Sequence, residues 1–204
     1  MSSAGGSRIG AADVPGIGGL DEVGAAILDQ RVVMLTGELD TERASEAAAA
    51  LMTLDATGDS RIELRLLSSR GSLDVALALI DVIDVLGVPV VGTALGSIAG
   101  GPVGILASTK QRRIASHGSL VLRSPDLEVA GTAADVERAV SSEGAVRTRF
   151  LETLASRVGR PFAEVASEWD RAAILEAPDA VSLGYCDEVL ASSRGRPAVS
   201  GSSG

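Results

Sequence analysis

The stretch IELRLLSSRGSLDVALALIDVIDVLGVPVVGT (62–93) holds the reading on which the fold turns. Ile62, Leu64 and Leu66 alternate with Glu63 and Arg65, the period of two that buries one face of a β-strand. From Ser72 to Leu86 the pattern changes. Apolar residues fall nearly all round, which predicts a helix lying inside the structure. Its acidic residues Asp74, Asp81 and Asp84 share one stripe, read as a solvated edge and not a cation site. Pro89 to Thr93 returns to an apolar strand. Strand, helix and strand in this order predict a right-handed βαβ crossover.

The same alternation extends outward. Val32 to Leu35 is a short buried-strand run ending at Gly37, and Thr41 to Leu54 is Ala-rich and helical. A Gly-rich turn at 96–101 leads into a short apolar helix, and two strands follow around 112–114 and 120–122. Thr132 begins a long helix to about Ser156, its hydroxyl and Asp135 supplying the cap. Pro161 opens another helix with Phe162, Val165 and Trp169 on one side, and a last strand ends near Leu190. The class is therefore α/β. Residues 1–20 read as a flexible arm, 21–190 as one folded domain and 191–204 as a disordered tail.

Composition excludes several function classes. The 204 residues suit one domain, and no apolar run reaches the length of a bilayer helix. A net charge of −9 with only 2% aromatics argues against nucleic acid, which needs a basic face and stacking platforms. Cys186 is the only cysteine, so there is no internal disulfide and no Cys-based metal cage; neither metal nor cofactor is expected. No charged-then-apolar leader begins the chain, and a soluble, cytoplasmic protein is expected. His117 is the only histidine, so any histidine chemistry passes through it.

Six segments, taken in order, resemble the ClpP family, the proteolytic subunits of the Clp protease. They are RVVMLTGELD (31–40), LRLLSSRGSLDVALALIDVI (64–83), VVGTALGSIAGGPVGILAS (90–108), LVLRSP (120–125), GTAAD (131–135) and DRAAILEAPDAVSLGYCDEVL (170–190). The resemblance spans roughly residues 20–190. It implies the ClpP/crotonase-like spiral of βαβ units with a handle made from a strand and a long helix.

That family cuts peptides with a serine, a histidine and an aspartate. By the resemblance the serine position is Gly100, the histidine position is Arg123 and the aspartate position is Ala172. Glycine carries no nucleophile, and arginine stays protonated and cannot act as a base. No catalytic residue is therefore assigned. Gly71 and Gly101 match the backbone donors of the oxyanion hole, a relic here because Arg70 and Pro102 replace their usual neighbours. Ser97 is read as a turn serine, His117 as a surface-loop residue, Lys110 as an exposed lysine and Cys186 as a buried small hydrophobe.

The resemblance also implies stacked rings. Gly131 at the start of the handle, with the acidic–arginine pair Asp170 and Arg171, matches the ring-to-ring contact. Docking of a Clp ATPase is doubtful, because the two pocket tyrosines are Glu63 and Arg65 and a pocket phenylalanine is Val85. The expectation is a catalytically inactive subunit with a structural or regulatory role, in a homo-oligomer or with an active ClpP paralogue. Two alternatives stand beside it. One is a crotonase-like binder or enzyme in which Arg70 and Arg123 grip an anion, unless the chain's own carboxylates plug them. The other is a peptidase with a displaced nucleophile such as Ser97.

Overall fold

The computed structural model describes residues 22–125 and 131–191. Helix α1 (Glu22–Asp29) leads into β1 (Val32–Leu39), α2 (Thr41–Thr57), β2 (Ile62–Gly71), α3 (Leu73–Val85) and β3 (Val90–Ala94). Next come β4 (Ser97–Ala99), α4 (Gly101–Ala107), β5 (Gln111–Ala115) and β6 (Ser119–Val121). The remaining elements are α5 (Ala133–Val158), α6 (Phe162–Asp170), β7 (Ile174–Glu176), α7 (Ala177–Ser182) and β8 (Glu188–Leu190). The α/β class is as the periodicity predicts. The strand expected ahead of the long helix would fall among 126–130, and that span, like 1–20 and 192–204, lies outside the described residues.

Two sheets organise the chain. The larger is all parallel in the order β1-β2-β3-β5-β8, and the smaller runs β4-β6-β7, parallel then antiparallel. Val33, Leu35, Leu64 and Leu66 point from the large sheet into one apolar cluster with Leu51, Ala76, Leu79, Ile80, Val103 and Leu106. The intervening residues form an outward row in register, Met34, Arg65, Thr93, Arg113 and Glu188.

The structure corrects five expectations. Strand β2 continues past Leu66 to Gly71, because buried Ser68 donates its hydroxyl to the Gly37 carbonyl (2.6 Å), where β1 carries a register irregularity. Residues 97–99 are a strand rather than turn, paired Ser97↔Ser119 to Ala99↔Val121. Helix α3 is only half inside. Leu73, Ala76, Leu79, Ile80 and Ile83 are buried, whereas Val85 is 79% exposed. Asp84 is also not simply solvated, since Arg157 pairs with it. Phe162 does not join Val165 and Trp169 in the core: it is 44% exposed, and Phe150 packs against Trp169 instead (ring centroids 5.3 Å apart).

The cap at Thr132 is as expected, a full capping box with Asp135, and it starts the 26-residue helix α5. Elements α1, β7 and α7 have no counterpart in the periodicity. They are short, and β7 is only three residues long.

Candidate functional site: the vacated elbow

The small sheet ends in a strand–turn–helix elbow. Gly100 joins β4 to α4 at φ 67°, ψ −129°, a conformation side chains rarely adopt. Its N–H donates to the Val121 carbonyl (3.2 Å), fixing it against the end of β6. A Cβ built there would lie 3.3 Å from the Arg123 carbonyl oxygen and 3.5 Å from that of Gly71. A small side chain therefore nearly fits in space, and its cost lies in the positive φ.

Three residues singled out above lie at neighbouring strand ends here. β6 is the centre of the small sheet, so Ala99 at the end of β4 pairs with Val121, and Val121 pairs with Ile174 at the start of β7. Gly100, Arg123 and Ala172 follow or precede those ends, and the Leu122 N–H donates to the Ala173 carbonyl (2.9 Å). Ala172 itself sits at φ 50°, one of two non-glycine residues with positive φ among the described residues. That region costs an alanine about 1–2 kcal/mol, and aspartate or asparagine accepts it more readily.

Gly71 and Gly101 flank the elbow for reasons of packing. A Cβ on Gly71 would come within 2.3 Å of the Leu39 Cβ, and one on Gly101 within 2.7 Å of the Ser72 carbonyl oxygen. The Gly101 N–H belongs to the first turn of α4, where no intrahelical carbonyl reaches it. Arg123 is half-buried, and no carboxylate pairs with it among the described residues. Arg70 lies largely in solvent, with Glu38 3.9 Å away. The segment after Arg123 is tied down by Trp169, whose indole Nε1–H donates to the Ser124 hydroxyl (2.9 Å).

No substitute nucleophile is assembled. Ser97, Lys110 and His117 are all exposed, and no hydrogen bond joins them among the described residues. Cys186 is buried ahead of β8, and burial pushes its thiol up to about 12, which removes it as a neutral-pH nucleophile.

Away from the elbow, Asp170 accepts from Arg147 of α5 (2.5 Å), and Arg171 is exposed with Glu168 3.9 Å away. Gly131 takes φ 148°, and a side chain there would press on Asp135 at 3.0 Å. The outward row of the large sheet is charged. Arg65 pairs with Glu63 (3.0 Å), Arg113 with Glu188 (2.8 Å), and Gln111 donates to Glu188 (2.9 Å).

One polar cluster has no counterpart in the sequence reading. Arg160 donates through both terminal nitrogens to buried Glu168 (2.8 and 2.9 Å), and the Tyr185 hydroxyl donates to the same carboxylate (2.8 Å). Burial raises the Glu168 pKa, but the hydrogen bonds from Arg160 and Tyr185 outweigh it and hold the carboxyl below its usual range. Burial, with Glu168 alongside, pushes the Tyr185 hydroxyl well up. The available signal was Glu168 itself, a charge on the apolar stripe of Val165 and Trp169.

A family model described as Clp protease matches residues 19–193. Among curated relatives, the ATP-dependent Clp protease proteolytic subunit 3 of Rhodococcus jostii is 30% identical over 184 residues, covering 89% of this chain and 91% of the relative. A putative ATP-dependent Clp protease proteolytic subunit-like protein of Streptomyces coelicolor is 33% identical over 181 residues, 86% of this chain and 85% of the relative. Proteolytic subunit 2 of Thermobifida fusca is 29% identical over 181 residues, 87% and 89% of the two chains. With its curled parallel sheet, its elbow and a family match over most of its length, the chain belongs to the Clp protease family.

Proposed function

We propose that this chain is a catalytically inactive ClpP-like subunit with a structural or regulatory role in a ring-shaped Clp protease assembly, alone or with an active paralogue. The observation that carries this reading is the elbow at Gly100: its backbone conformation is one in which a nucleophile is presented, and no side chain is there. Arg123 and Ala172 converge on it and supply neither a base nor an orienting carboxylate. Gly71 and Gly101 are the remnant of an oxyanion hole. Backbone donors without the triad leave about 10³–10⁴-fold acceleration over water, too little for a working peptidase.

Asp170, Arg171 and Gly131 are retained for ring-to-ring contact. The ion pair of Asp170 with Arg147 is exposed, so it is readily exchanged for a partner's side chain. The charged row around Glu63 and Arg65 offers no apolar anchor, so an ordinary Clp ATPase docks poorly. No helix among the described residues is long and apolar enough to cross a membrane, in keeping with a proposed cytoplasmic location.

The test combines a fluorophosphonate probe, a fluorogenic peptide and absolute mass in solution, for the chain alone and mixed with an active paralogue. The expected result is no covalent label, no added hydrolysis and a large particle. A label on any serine, Ser97 included, overturns the inactive reading, and a monomer under every condition overturns the assembly.

A further inference from the structure

The start of α4 carries the elbow, and its other end opens on a separate site. There a cleft of about 580 Å³ lies between the ends of α3, α4 and α5, within the size range of small-molecule pockets. Its charged lining is Asp84, Lys110, Arg112, Arg157 and Asp187, and Leu86 and Pro89 add an apolar wall.

Four of those five charges cancel in pairs. Arg112 donates through Nε and Nη2 to Asp187 and through Nη1 to the Gly184 carbonyl (2.9 Å), so its guanidinium is spent. Arg157 pairs with Asp84 through Nη2, and its guanidinium makes no other hydrogen bond among the described residues. Lys110, the only lysine of the chain, is left over. Its backbone N–H donates to the Val90 carbonyl (2.8 Å), and its exposed ammonium has no ion-pair partner among the described residues.

A cation just past a helix is often no more than a cap for the last carbonyls. Here those carbonyls are served by other groups. The Ser108 hydroxyl donates to the Gly104 carbonyl (3.0 Å), the Thr109 hydroxyl to that of Leu106 (2.8 Å), and Arg112 reaches the Arg157 carbonyl of α5 (3.4 Å). Three cations against two carboxylates leave one positive charge in the cleft, although the whole chain carries −9. An unspent ammonium beside an apolar wall selects an anion that has an apolar body.

We propose that this cleft binds a small organic oxyanion, a carboxylate or a phosphate monoester, with its charged end on Lys110 and its body against Leu86 and Pro89. Arg157 is the second donor. Its pair with Asp84 is partly exposed and so opens at little cost. Neither the elbow nor assembly takes part, so the cleft stands apart from the function proposed above.

The test is calorimetric titration of the full chain at low salt with inorganic phosphate, phenyl phosphate and benzoate, repeated on Lys110→Gln, Lys110→Arg and Arg157→Gln. Both side chains are exposed, and melting by circular dichroism confirms that each variant folds. We expect phenyl phosphate or benzoate to saturate the chain, the tighter of the two showing which oxyanion the site takes. Lys110→Gln should weaken that binding by at least about tenfold, Arg157→Gln by less, and Lys110→Arg should keep most of it. Inorganic phosphate, which has no body, should bind more weakly than phenyl phosphate. Failure of every probe to saturate overturns the inference, and so does a folded Lys110→Gln chain that binds like the wild type. Equal affinity for inorganic phosphate and phenyl phosphate overturns the role given to Leu86 and Pro89.

Discussion

Two sites in this chain each draw three residues from distant parts of the sequence, and they differ in what holds them. At the elbow, Gly100, Arg123 and Ala172 are brought together by the pairing of β4, β6 and β7, through backbone hydrogen bonds that do not depend on the side chains. In the cluster behind α6, Arg160, Glu168 and Tyr185 are brought together by their own functional groups, every one of them hydrogen-bonded. The first is set by backbone geometry alone. The second is chemistry, and without it that geometry has no reason to persist. An arrangement built on strand ends therefore tolerates exchange of its side chains, whereas a buried ion cluster does not.

The largest effect that sharpens this contrast is Glu168→Ala. It leaves a buried hydroxyl unpaired and a largely buried guanidinium with only the exposed Glu164 as a partner, and urea unfolding should lose about 3–5 kcal/mol. The pH dependence has a definite sign. The folded Glu168 pKa is depressed, so its contribution is complete above the ordinary glutamate range and is lost as pH falls through the lower folded value. Unfolding midpoints should therefore decline below about pH 4.3, and less steeply in Glu168→Gln.

A smaller effect separates packing from conformation among the glycines. Gly71→Ala forces a methyl into the Leu39 side chain and should cost about 1–3 kcal/mol, more than Gly100→Ser, where the cost is mainly the positive φ, about 1–2 kcal/mol. If Gly100→Ser proved the more damaging, the elbow would be closed by its surroundings and not merely vacant. The serine should remain unlabelled by a fluorophosphonate, having no base beside it.

Smallest is Ala172→Gly, which relieves the left-handed backbone and should stabilise the fold by up to about 1 kcal/mol in the same assay. No gain would mean that the strain is already relaxed.

How much was legible in the sequence differs between these sites. Gly100, Arg123 and Ala172 are picked out by the resemblance of the segments around them to the ClpP family, and strand pairing then places those segments side by side. Glu168 is not legible in this way, since its partners lie 8 and 17 residues away and nothing local points Arg160 or Tyr185 toward it. The half-exposure of α3 is hidden from the sequence for a related reason. Periodicity reports which residues are apolar and not whether a neighbour is present to cover them. Strands of three residues, such as β4 and β7, are too short to show a period at all.

The sequence by itself determined the α/β alternation, the cap of the long helix and the residue types at Gly100, Arg123 and Ala172. Each is a matter of residue type and local spacing, and local rules decide it. Tertiary structure alone decided that these three residues lie at neighbouring strand ends, that Asp170 is held by Arg147, and that Glu168 is buried between a guanidinium and a phenol. Those depend on which strand ends and helix faces come to rest against one another, and that is settled only when the core closes.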